Sequence, residues 1–87
     1  MISLKEAIEI AKDDYGENFK LYKLCHDLGK DYAFSAVLKN GRSYTGLMLL
    51  IDKETGRKSY GQYIPLPGNK LAERMDKGKE IDISDMI

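Results

Sequence analysis

The chain has one cysteine, one histidine, two prolines, no tryptophan and no net charge. The lone Cys25 cannot close an internal disulfide, so the cysteine usage gives no reason to infer an oxidising compartment. Cys25 and His26 also have no second Cys or His with which to complete a zinc set. Fourteen basic residues cancel fourteen acidic ones. No long-range positive field exists to gather a polyanion, and general nucleic-acid binding is disfavoured. No stretch approaches the roughly 18 apolar residues that span a bilayer. The start, Met1 to Tyr15, lacks the basic, apolar and small-residue regions of an export signal. The expectation is a cytoplasmic protein without a membrane partner. Gly41, Gly46, Gly56, Gly61, Gly68 and Gly78 match neither a P-loop nor a dinucleotide fingerprint, and no cofactor is implied.

What is present suits one domain spanning residues 1–87, because 87 residues at 43% apolar content can close a single core. A chain this short buries only roughly 60–65% of its unfolded surface, leaving little volume for an enclosed active site. A shallow binding surface is easier to build.

Ser3 and Glu6 form a capping box ahead of Leu4, Ala7, Ile8, Ala11 and Tyr15, which share one helical face. A helix over 4–15 is predicted, ended by Gly16. Phe19 to His26 reads as a short or edge strand with imperfect alternation, since Leu24 and Cys25 adjoin. After the turn residues Asp27 to Lys30, Tyr32, Phe34, Ala36 and Leu38 alternate with their neighbours in a period of two. Asn40-Gly41 signals a tight hairpin, so the next strand, Tyr44 to Asp52, should run antiparallel. Asp52 to Gly56 breaks that run, and Arg57 to Tyr63 resumes as a polar strand. Pro65 and Pro67 exclude Ile64 to Gly68 from a regular ladder. Asn69 should cap a second helix over 70–77, with Leu71, Ala72 and Met75 inward and Gly78 as its stop. Residues 79–87 read as an edge strand or a tail. The fold class is therefore α+β: an N-terminal helix on a three- to four-stranded antiparallel sheet, with a short C-terminal helix. Both helices are expected on one face of that sheet, with the other partly wet.

No set of residues has the spacing of a catalytic constellation. Cys25 and His26, adjacent in a strand, point to opposite faces and do not pair as nucleophile and base. Asp52 and Glu54 could meet a cation at their turn, but the segment lacks the ligand framework of a calcium loop. Asp13, Asp14 and Glu17, and separately Arg57 and Lys58, read as solvated charge clusters. A small hydrolase using carboxylates and His26 is the remaining enzyme reading, and it is disfavoured. The residues best suited to a protein partner are Tyr60 and Tyr63, beside the Pro-bearing loop, and Glu73, Arg74 and Asp76 on the second helix. Tyrosine offers large contact area, and mixed charge orients a partner. Roofing the core where the chain turns into the second helix is the favoured reading for Tyr63, and for Tyr60 that role and partner contact stand even. An exposed sheet edge could also pair two copies as a homodimer.

The opening Met1-Ile2-Ser3 with its helix, the strand Tyr32-Ala33-Phe34, and above all Leu49-Leu50-Ile51-Asp52-Lys53-Glu54-Thr55-Gly56 followed by a late helix resemble the YrhB-like immunity proteins of bacterial toxin systems. The resemblance runs over about residues 1–77. It implies a small cytoplasmic α+β protein that binds and neutralises a cognate toxin, with a chaperone-like role as a variant. The same helix and Asp-x-x-Thr-Gly turn are also similar to PepSY modules, which implies regulation or inhibition as the alternative. The Pro65 to Gly68 loop and the segment from Lys79 to Ile87 have no counterpart in the resemblance, so no binding surface carries over.

Overall fold

A computed structural model describes residues 1–38 and 47–87 of the chain. The elements are α1 (Leu4–Tyr15), β1 (Phe19–Leu21), β2 (Leu24–Asp27), β3 (Asp31–Phe34), β4 (Ala36–Leu38), β5 (Leu47–Asp52), β6 (Lys58–Gln62), α2 (Lys70–Lys77) and β7 (Lys79–Asp82). The chain is α+β. Its strands form one antiparallel sheet in the order β6-β5-β3-β2-β7 and a two-stranded ribbon, β1-β4.

Both helices have the predicted bounds because their ends are set locally. The Ser3 hydroxyl accepts from Glu6 N–H while the Glu6 carboxylate accepts from Ser3 N–H, closing the capping box. Gly16, at φ 76° and ψ −170°, takes the positive-φ conformation that ends α1. Asn69 accepts from Ala72 N–H at 2.8 Å and starts α2.

The strands show more difference from expectation. Tyr32 to Leu38, read as one strand, divides at Ser35. Its first part pairs in the sheet, Phe34 with Leu49, and its second pairs with β1, Leu38 with Phe19. The strand expected over Phe19 to His26 divides too. The register passes from Leu21 opposite Ala36 to His26 opposite Ala33, which leaves Tyr22 and Lys23 as two extra residues. Such a bulge bends the ribbon, and here β1 curls against α1. The Asn40-Gly41 turn lies outside the described residues, but the antiparallel pairing it implied is present between β3 and β5. Residues 79–87 supply both readings made of them. β7 adds a fifth strand beside β2, and the chain then docks through the fully buried Ile83.

The expectation that both helices share one face is overturned. Phe34, Leu49, Ile51 and Cys25 face α1, whose Ala7, Ile8 and Ala11 complete that core with Leu21 and Ile83. Ala33, Met48 and Leu50 face the other way and pack on Leu71 of α2. The near-continuous run from Met48 to Ile51 is thus buried on both sides, as a central strand covered by two layers must be. The chain passes from one edge of the sheet to the other along α2. Leu71 lies over Gly61 and Leu50, Arg74 reaches Asp31 at 2.7 Å, and Gly78 sits against Asp27.

Ionic contacts close the turns. Lys53 donates to Asp27, stands 4.6 Å from the centre of the Tyr32 ring, and shares its backbone with Lys30 and Ile2. That hydrogen bond, followed by one from Gly29 N–H, holds the Asp27 carboxyl below its ordinary range. A depressed carboxyl contributes stability above its unfolded pKa, near 4, that is lost as pH falls through the lower folded value. Acid unfolding of Asp27→Asn should therefore show a shallower loss of stability below about pH 4. Part of the slope should persist through Asp52 and Asp82, whose carboxyls are lowered by turn N–H groups and, for Asp82, first by the Ser84 hydroxyl. Chemical melts across pH test it; an unchanged slope would assign Asp27 no part.

Candidate functional site

β6 and β7 are the two edges of the five-stranded sheet, and β6 is the one beside exposed aromatic and apolar side chains. Asp52 N–H donates to Arg57 O at 2.9 Å, which makes that facing pair the hydrogen-bonded kind. With the register Leu50 to Ser59 and Met48 to Gly61, the alternation then turns the backbone of Ser59 and Gly61 toward β5. Lys58, Tyr60 and Gln62 point theirs away. Among the described residues no strand lies on that outer side.

The side chains of Lys58, Tyr60 and Gln62 share the α1 face, because Tyr60 pairs with Leu49, a residue of the α1 core. Tyr60 is 55% exposed, yet its hydroxyl is 2.8 Å from each oxygen of Asp14. Lys58 Nζ approaches the same carboxylate at 3.1 Å. One residue from each of two charge clusters, both read as solvated faces, thus meet across the fold. The Asp14 hydrogen bond raises the pKa of the Tyr60 hydroxyl and of the Lys58 ammonium, in each case because it favours the protonated group. The ring is held at its tip while its body stays open to solvent. Beside it, Asp14, Tyr15, Phe19, Leu47 and Tyr60 line a recess of about 200 Å³. Leu47, Ile64 and Leu66 are exposed along the same strand pair and the loop that follows.

The five residues singled out from sequence are not gathered in one patch. Tyr60 is on the α1 face. Tyr63 is half-buried and packs with Ala33, Met48, Leu50 and Leu71 beneath α2, the roofing role. Arg74 turns back to Asp31, whose carboxylate is only 12% exposed, so its charge is used inside the domain. Glu73 and Asp76 remain exposed on α2. Sequence reasoning missed Asp14 as the shared partner of Tyr60 and Lys58, because it lies far from both in the chain.

No protein family, curated protein or solved structure matches this chain.

The remaining chemical candidates are placed as follows. Cys25 is fully buried in the α1 core, and burial, then the charge of Asp27, pushes its thiol up to about 11. A thiol reagent should leave Cys25 unmodified in the folded protein and label it on unfolding in urea; rapid labelling of the native protein would contradict the assigned packing. His26 faces the α2 side, with Nε2 3.7 Å from Glu80. The Asp52 carboxylate accepts from Glu54 and Thr55 N–H, so it caps its turn. Among the described residues no three His, Cys, Asp or Glu side chains are grouped to hold a metal ion, and no helix is long and apolar enough to cross a membrane.

Proposed function

We propose that this domain acts by docking another protein along β6 and that, in keeping with the resemblance of Leu49 to Gly56, the partner is a toxin that it holds inactive in the cytoplasm. The observation that carries the docking reading is the outward backbone of Lys58, Tyr60 and Gln62 beside a pre-set tyrosine and an adjoining recess. An extended segment of a partner added there gains main-chain hydrogen bonds from the edge and side-chain selectivity from the recess. Fixing Tyr60 through Asp14 lowers the ordering cost of the contact. Exposed Leu47, Ile64 and Leu66 extend the apolar surface that a partner would cover.

Gln62→Pro is the diagnostic change. It removes one outward N–H without removing a hydrogen bond to β5, and the preceding Gly61 tolerates the proline. The partner is identified by affinity capture from the native host, and a captured toxin is then co-expressed with the wild-type domain and with Gln62→Pro. The expected result is growth rescue by the wild type and at least about tenfold weaker binding by the variant, with an unchanged melt. Equal capture by Gln62→Pro would reject docking at β6. A non-toxic partner, or no growth rescue, would reject the toxin.

A further inference from the structure

The two edges of the five-stranded sheet differ in whether they complement themselves. Ile83 N–H donates to Lys23 O at 2.7 Å, so in the β2 to β7 ladder Lys79 and Ile81 turn inward and Glu80 and Asp82 turn their backbone outward. Two copies meeting through β7 would set those carboxylates against each other, which is destabilising. On β6 the outward residues are Lys58, Tyr60 and Gln62, spaced evenly about Tyr60. A two-fold axis there places Tyr60 opposite Tyr60 of a second copy and Lys58 opposite its Gln62, with no like charges facing and about six backbone hydrogen bonds available. Asp14 already compensates Lys58. The Gln62 carbonyl accepts from Asn69 Nδ2 at 3.3 Å and retains a second lone pair for the neighbour.

We propose that the free protein pairs with a second copy of itself through β6, antiparallel about a two-fold axis at Tyr60, so that the docking edge stays covered until a partner displaces the second copy. This inference rests on the reading of β6 as the docking edge. A contact built on one five-residue strand falls below the roughly 1,200 Å² of a standard stable interface. The pairing is accordingly weak, with a dissociation constant on the order of micromolar, as exchange with a partner requires.

Sedimentation of the full chain from about 1 to 500 μM should show monomer passing to dimer. Gln62→Lys sets lysine against Lys58 twice by symmetry and should weaken the dimer at least about tenfold, whereas Gln62→Glu sets a carboxylate against Lys58 and should strengthen it. In case those charges disturb the fold, Tyr60→Cys gives a second readout. Directly opposed residues have Cα atoms about 5.5 Å apart, within disulfide range, so mild oxidation should link two copies; Ser59→Cys, off the axis and on the other face, should not link. Wild-type monomer throughout, a dimer indifferent to Gln62→Lys, or linkage by Ser59→Cys equal to that by Tyr60→Cys overturns the proposal. A wild-type monomer whose partner binding is lost in Gln62→Pro overturns self-pairing alone. A β6 dimer whose partner binding ignores Gln62→Pro overturns the docking reading alone.

Discussion

Phe34→Ala is expected to cost about 3–5 kcal/mol, a large share of the roughly 5–10 kcal/mol that holds a domain of this size together. Phe34 is 1% exposed and belongs to the core between α1 and the sheet, with Ile8, Leu49, Ile51 and Ile83. Its truncation leaves a cavity that neighbours on two layers cannot close without moving α1. The midpoint of thermal unfolding should fall by about 4–8 °C for each kcal/mol lost. The same residue bears on the site, because the Phe34 carbonyl accepts from the Tyr15 hydroxyl at 3.3 Å and Tyr15 adjoins Asp14. The proposed docking at β6 should therefore weaken along with stability. A loss below about 1 kcal/mol in urea melts would mean that the assigned core packing is wrong.

Gly78→Ala is expected to be the next most damaging single change, at about 1–3 kcal/mol. Gly78 has an ordinary φ of −83°, so the cost is steric and not conformational. An added Cβ would lie 2.6 Å from the Asp27 carbonyl oxygen and 3.2 Å from that of Arg74. Both are backbone atoms, and relief requires parting α2 from β2 where β7 begins. Amide exchange should accelerate in β7 more than in β3 or β5. Gly61→Ala is the contrasting control. Its Cβ would approach Leu71 Cδ2 at 3.1 Å, the end of a flexible side chain that can give way, so the cost should stay under about 1 kcal/mol. Equal losses from the two substitutions would contradict the placement of α2 across the sheet.

Short-range signals were the legible ones. Ser3 with Glu6 and Gly16 bounded α1, and Asn69 bounded α2, since each cap uses atoms within a few residues of the end it satisfies. The division at Ser35 was hidden because Ala36 continues the alternation of Tyr32 and Phe34 although it pairs with a different partner strand. Alternation reports which face is apolar and is silent about which strand lies alongside. The apolar run in β5 announced burial on both faces, but taking the helices as a single layer sent α2 to the wrong side. At the site, Tyr60 could be named from its residue type; Asp14, which accepts from its hydroxyl, could not.

What the sequence determined by itself is the two helices, their caps and the apolar face of each, because these follow from propensity and from contacts local in the chain. The tertiary structure alone decided that α2 covers the face opposite α1, that β6 and β7 are the sheet edges, and that Asp14 reaches Tyr60. Those outcomes depend on how separate apolar faces satisfy one another in three dimensions, a global packing problem that no local pattern encodes.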